Sequence, residues 1–270
     1  MVRNPAVAGQ FYPGEREVLS LEIEGLTDRV KAKKEDAIGM VLPHAGYIYS
    51  GVVAGAVLAS VNPKSTYIIM GPNHTGLGSP FSLCASDSWR TPLGDVKING
   101  ELTEKLLKDC DLLRKDELAH IHEHSIEVQL PFLQKLQGEF TFVPIVISVS
   151  DIKTYRHIGE CMAKSIKELK MDKIVAIIAS SDMTHYESQE SAKEKDSKAI
   201  EAILNLDEKM LVQRVQELDI SMCGFAPAAI MISAVKNLGA KKARLVKYQT
   251  SGDVSQDRSS VVGYAGIIIN

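Results

Sequence analysis

The stretch "YIIMGPNHTG" (Tyr67–Gly76) decides the fold, because it joins an apolar, β-rich run to a turn of Gly71, Pro72 and Asn73 that presents His74. Glycine and proline set turn geometry, so the pattern is a buried strand followed by a rim loop. Apolar β-rich runs recur at 38–43, 66–71, 81–86, 140–148, 173–181, 243–250 and 260–269. Between several of them lie segments with helical periodicity, at 50–60, 102–107, 126–136, 155–169, 193–204, 208–217 and 226–238. Strands alternating with helices specify βαβ units. The expected fold is therefore α/β: a single three-layer α/β/α domain, residues 1–270, around a mostly parallel sheet. The last two runs, joined by "SGDVSQDRSS", are expected to add antiparallel members and make the sheet mixed.

The bulk properties narrow the function classes. With 45% hydrophobic residues in 270, the chain can bury a large core. Its 34 acidic and 31 basic side chains nearly cancel and neither sign clusters, so neither a nucleic-acid backbone nor an anionic membrane is an expected partner. The longest apolar stretch, Val52 to Val61, falls well short of the roughly 18 residues of a membrane helix, and a cytoplasmic location is expected. Cys84, Cys110, Cys161 and Cys223 are scattered without CxxC spacing, which argues against a disulfide framework and a zinc ribbon.

In an open α/β sheet the ligand crevice lies beyond the carboxyl ends of the strands. The run 38–43 leads directly to His44, with Ser50 the expected N-cap of the helix that follows. The run 66–71 delivers His74, and "KIVAIIASSDMTHY" delivers Asp182 and His185. Cys223 precedes an apolar helix with Pro227 near its first turn, where the helix dipole would favour a thiolate. His120, His122 and His124 alternate; an extended backbone would put all three on one face, whereas a loop or helix start would leave only His124 facing the site.

Taken singly, each residue has a plain reading: a hydrogen-bonded histidine, a buried thiol, a helix cap for Asp182. Together, four segments place ligand-type residues at one sheet edge and point to a metal site. Two imidazoles and one anion form a facial set with open positions. Asp182 as the anion gives the two-His-one-carboxylate arrangement, and Cys223 gives a softer site suited to iron(II), copper or zinc. His185 or His124, whichever is unbound, is the candidate general acid or base.

At these residues the sequence resembles the Memo family, also called AmmeMemoRadiSam system protein B. The matching motifs run nearly end to end: "RNPAVAGQFYP", "PHAGYIYSG", "GPNHTG", "EHSIEVQLPFLQ", "SSDMTHY", "CGFAPAAIM" and "YQTSGDVSQDRSSVVGYAGI". The family is similar in fold to the class III extradiol ring-cleaving dioxygenases. The resemblance implies His44, His74 and Cys223 as metal ligands, Cys223 standing where the dioxygenases have a glutamate. Asp182 and His185 would line the same pocket, His185 being similar to the dioxygenase acid/base. It also implies iron or copper handling, oxidant production and phosphotyrosine-peptide binding in animal members. For prokaryotic members it implies a functional link to a radical-SAM protein and an AMMECR-type protein.

Three functions follow as expectations. The first is a metal-binding protein, with iron(II) or copper(I) ahead of zinc, held by His44, His74 and Cys223 and with a redox role on a small-molecule or peptide ligand. In it His185, Asp182 and His124 serve the chemistry. The second is an extradiol-type dioxygenase in which His185 deprotonates a catechol. The third is a non-catalytic module that holds a phosphotyrosine-type peptide in the crevice. A hydrolytic zinc site is a weaker fourth.

Overall fold

All seven residues of Thr66–Pro72 are buried and form strand β3. Ile68 and Ile69, on opposite faces, are both fully buried, which stabilises the fold by roughly 1.5–3 kcal/mol per side chain. The computed structural model describes residues 1–28, 33–84 and 86–270. Ala85, inside the expected run 81–86, lies outside the described residues.

Strand β3 lies at the centre of a parallel group. It pairs with β8 (Thr141–Ile147) on one side and β9 (Val175–Ser180) on the other, and β9 pairs with β2 (Gly39–Leu42), all parallel. Alternate residues of these strands feed two cores. Val41, Ile68, Val143 and Ile177 face one apolar cluster, while Leu42, Ile69, Phe142 and Ile178 face the other. The first is covered by α3 (Gly100–Asp109), α5 (Ile152–Glu168), α6 (Gln189–Leu204), α7 (Glu208–Glu217) and α8 (Phe225–Asn237). The second is covered by α1 (Arg16–Thr27), α2 (Tyr47–Leu58) and α4 (Leu130–Gln137). Helix α8 is buried from Ala226 to Val235, which explains why its sequence is apolar all round.

Antiparallel strands complete the sheet. β11 (Ala243–Thr250) runs along one edge of β12 (Val261–Ile269), whose other edge is shared between β2 and β10 (His185–Glu187). At the far side β1 (Val2–Arg3) pairs with β5 (Ser88–Thr91), which forms a hairpin with β6 (Gly94–Ile98). β6 and β4 (Phe81–Leu83) share the outer edge of β8, and β7 (Arg114–Lys115) adds to β4. The described residues thus form a mostly parallel, mixed twelve-stranded sheet. Among them, no helix is long and apolar enough to cross a membrane.

Two local expectations give way. Gly71 and Pro72 belong to β3, paired with Val146 and Ile147, and do not turn the chain. Glycine is needed there for space, because a Cβ on Gly71 would sit 2.1 Å from Ser125 Oγ. Ser50 does not cap its helix, which begins three residues earlier behind Gly46. The Tyr47 N–H donates to the Phe11 carbonyl at 2.8 Å, so the N-terminal segment satisfies that orphan donor, and Ser50 Oγ donates to the Ala45 carbonyl instead.

Candidate metal centre

Three adjacent parallel strands, β3, β9 and β2, end on one rim. Two residues past β2 stands His44, two past β3 His74, and past β9 come Asp182 and His185. Cys223 approaches from the loop before α8, and its neighbour Gly224 fits only because it lacks a side chain: a Cβ there would lie 2.4 Å from the Ser180 carbonyl oxygen. These residues, with His124 and Phe11, line one cleft of about 480 Å³. A roomier groove of about 770 Å³, along Leu93, Val96, Gln134 and Phe140, gathers no histidine or cysteine.

The imidazoles of His44, His74 and His124 offer nitrogen atoms that all lie within 4.8 Å of one another. His74 and His124 stack with ring centroids 4.7 Å apart, and His44 meets each of them edge-on at 5.2 and 5.6 Å. Phe11 packs against the other side of His124, 4.9 Å away.

The partners behind two of these rings decide which nitrogen faces the cleft. Ser180 Oγ donates its only proton to the Ser125 carbonyl at 2.6 Å and accepts from Gln129 Nε2 at 2.9 Å. Its contact with His44 Nδ1 at 3.0 Å is therefore one in which the imidazole donates. The proton sits on Nδ1, and His44 Nε2 is left with its lone pair. For His74, Nδ1 lies 3.0 Å from Glu123 Oε1 while its backbone N–H donates to Oε2 at 2.8 Å. Glu123 is fully buried, yet its carboxyl is pulled down to about 2: burial opposes ionisation, and the hydrogen bond and charge of His74, together with the Ser125 backbone N–H, outweigh it. An ionised carboxylate accepts only, so His74 also carries its proton on Nδ1 and keeps Nε2 free. Carboxylate behind imidazole is the usual second-layer support of a metal ligand.

Electrostatics set the resting protonation states. Burial, and then the positive charge His74 and His124 would carry, push His44 well below the usual histidine range. His124 is lowered by burial, partly opposed by Glu123. For His74, burial pulls down but Glu123 more than offsets it, and the net shift is upward. Asp182 is raised to about 6, chiefly by burial; the N–H groups of His44 and Ala45 hold it part of the way down. It is no helix cap, since Oδ1 accepts the His44 backbone N–H at 2.8 Å and thereby fixes the loop that presents His44.

Cys223 differs from the expectation for a thiol ahead of a helix. Burial and then Asp182 raise its pKa strongly, and hydrogen bonds to the Asp182 backbone and Ser181 only partly oppose them. The thiol lies 3.3 Å from His44 Nε2 and 3.6 Å from the Asp182 carbonyl oxygen, and both accept. A bound cation would displace the thiol proton. His185 stands across the cleft on β10, with Nδ1 2.9 Å from the Ser221 carbonyl; a carbonyl only accepts, so that nitrogen is protonated and Nε2 is the basic atom.

Only one of the three alternating histidines reaches the cleft. His120 is buried on the other side of the loop, with Nε2 against the Ser82 carbonyl at 3.0 Å and its ring edge-on to Trp89, and His122 is exposed. The segment is a loop, so alternation does not align the side chains. Burial pulls His120 down to about 4, which keeps it neutral.

Several supporting residues carry no local signal. Arg3 stacks over Trp89, donates to the His120 and Glu123 carbonyls and pairs with Glu127. Glu127 also accepts the N–H groups of Ala6 and Val7 and the Tyr12 hydroxyl. These bonds seat the N-terminal segment on the histidine loop and bring Phe11 to the cleft.

The architecture defines an α/β protein with an imidazole-lined cleft at the carboxyl ends of adjacent parallel strands. The Memo-like protein family matches residues 3–268, and the chain belongs to that family. It is 46% identical to a MEMO1 family protein of Methanopyrus kandleri over 281 residues, covering 99% of each chain. It is also 46% identical to one of Methanococcus maripaludis, covering each chain fully, and 45% identical to one of Methanosarcina mazei over 99% of each. A crystal structure of an uncharacterized protein from Escherichia coli K12 shares the fold alone, with a TM-score of 0.53 and 12% identity over 85% of this chain and 98% of that one.

Proposed function

We propose that this Memo-family chain binds iron(II) or copper(I) through His44, His74 and Cys223 and uses it in redox chemistry on a small-molecule or peptide ligand. The observation that carries this reading is the tied-back imidazole pair. His44 and His74 each have Nδ1 engaged, by Ser180 and by Glu123, and Cys223 Sγ lies 3.3 Å from His44 Nε2. Two neutral imidazoles and a thiolate form a donor set of intermediate softness that suits these ions, and the open cleft leaves room for a ligand. Such an ion supplies electron transfer and polarisation of a bound group. The chain's own residues do the rest: Asp182 fixes the His44 loop, Phe11 and Tyr264 wall the cleft, and His124 and His185 hold or deliver protons at its mouth.

Anaerobic titration with iron(II), copper(I) and zinc of the wild type, His44→Ala, His74→Ala and Cys223→Ser tests the site. Equal uptake by all four proteins sinks it. Uptake of zinc alone, with no spectral change on admitting air, keeps the metal and sinks the redox role.

A second reading, an extradiol-type dioxygenase, is favoured by one observation: His185 presents a basic Nε2 to the cleft. It predicts ring-cleavage absorbance from simple catechols with iron(II) in air, lost in His185→Ala. The phosphotyrosine reading draws less support, because among the described residues those lining the cleft include neither lysine nor arginine. A functional link to a radical-SAM protein and an AMMECR-type protein belongs to the same proposal and is tested by co-purification.

A further inference from the structure

We propose that Cys110, Asp111, His157 and Cys161 form a second metal site, a zinc-type staple that ties the C-terminal end of α3 to α5. The sulfur atoms of Cys110 and Cys161 and a ring nitrogen of His157 all lie within 4.8 Å of one another. His157 Nε2 is 3.7 Å from Cys161 Sγ and 2.9 Å from Asp111 Oδ1. His157 and Cys161 are four residues apart on α5, which puts both on one helical face. Cys110 is the C-cap residue of α3 and Asp111 follows it directly.

Two features separate this cluster from a chance pair of buried thiols. Polarity is graded across it: Cys110 is fully buried and Cys161 nearly so, while His157 is half-exposed and Asp111 exposed, so an imidazole and a carboxylate stand at the mouth of a thiol pocket. The seam it sits on is also fastened just alongside. Asp109 accepts from Ser165 of α5 at 2.8 Å and pairs with Lys105 at 2.8 Å. A cation one step further along would continue that fastening.

The chemistry of the donors selects the ion. Two sulfurs, one nitrogen and one oxygen make a four-donor set that excludes magnesium and calcium, which want oxygen, and suits tetrahedral zinc. Binding balances as follows. Both S–H protons leave to solvent, the imidazole proton moves from Nε2 to Nδ1, and the ion replaces the Nε2–H···Asp111 bond with bonds to both partners. Binding thus releases the thiol protons, as thiolate ligation requires.

Cobalt(II) on the reduced, metal-free full chain is the probe, because its bonds to thiolate give charge-transfer absorbance. In a Cys223→Ser background the cleft has no cysteine. The charge-transfer band is expected to persist there, to be lost on adding Cys161→Ser, and to be displaced by zinc, which raises the thermal midpoint. His157→Ala, at a half-exposed position that the fold tolerates, is expected to weaken binding roughly a hundredfold, and Asp111→Asn roughly tenfold. Loss of the band with Cys223→Ser alone overturns the proposal. So does unchanged affinity in folded His157→Ala. Formation of a Cys110–Cys161 disulfide in air, with no cobalt bound by the reduced protein, also overturns it and assigns the pair to redox chemistry instead.

Discussion

The cleft and the α3–α5 cluster are both built from histidine and cysteine, yet they differ in what stands behind the donors. In the cleft, His44 and His74 are each oriented by a buried partner, Ser180 or Glu123, and those partners are themselves held by Ser125 and Gln129. Seven chain segments converge around a cavity of about 480 Å³. The α3–α5 cluster draws on two segments; among the described residues no buried partner braces its imidazole, and Asp111, 2.9 Å from His157 Nε2, is its proposed fourth donor. An open, heavily braced site suits binding and turnover; a closed, lightly braced one suits holding two helices together. The two are physically independent, and substitutions are expected to separate them.

The largest effect is expected from His74→Ala. It removes a proposed ligand and leaves Glu123 buried beside a void, so cleft affinity is expected to fall by more than about a hundredfold while cobalt absorbance from the α3–α5 cluster is unchanged. Calorimetry together with the cobalt spectrum reads both at once. A parallel loss at both sites would mean that they are one unit. Glu123→Gln comes next. It keeps size but weakens acceptance from His74 Nδ1, and metal affinity at the cleft is expected to drop about 10–100-fold with the three imidazoles intact. An unchanged affinity would show that the carboxylate is structural only.

How much of this was legible in the sequence follows from the range of each signal. His44, His74, Asp182 and His185 could be placed because each lies within five residues of a strand end, and parallel pairing carries those ends to one rim. Helix α7 matched its expected bounds because its pattern is local. Glu123 carries no such signal, although it sits beside His124, since its role depends on His74, 49 residues away. Arg3 and Glu127 were further from reach, being 124 residues apart. Helix α1 carries Leu19, Ile23 and Leu26 at helical spacing, a signal local to the sequence. The α3–α5 cluster has no CxxC pattern; its local sign is His157 and Cys161 at i, i+4, with Cys110 supplied only by packing.

Gly71→Ala tests whether the bracing of the cleft depends on close approach rather than on donors. A Cβ there would meet Ser125 Oγ at 2.1 Å and Ser125 Cβ at 3.1 Å, so Ser125, next to the Glu123–His124 pair, must shift. Overpacking of this kind costs about 1–3 kcal/mol, readable by denaturant unfolding, and it is expected to weaken cleft binding without touching the cobalt spectrum of the other cluster. Full retention of cleft affinity would mean that the loop has slack that the packing hides.

The smallest effect concerns the helix that carries His157. Arg156, the residue before it, and Lys236 of α8 both donate at 2.8 Å to Glu208, which is almost fully buried. Burial opposes ionisation of Glu208, but the Lys236 hydrogen bond, its own backbone N–H and Arg156 together bring its pKa below the ordinary 4.5. A carboxyl whose folded pKa is depressed stabilises the fold above its unfolded value and loses that contribution as pH falls through the folded one. Glu208→Gln is therefore expected to cost about 1–2 kcal/mol at pH 7, with the difference from wild type closing as pH drops below 4.5. Urea unfolding across pH checks the sign: a gap that widens on acidification contradicts it. Because the clamp acts between helices rather than on the donors, cobalt affinity at the α3–α5 cluster should change little. A marked loss there would show that the staple depends on where α8 holds α5, and that the two-segment description of the cluster is too small.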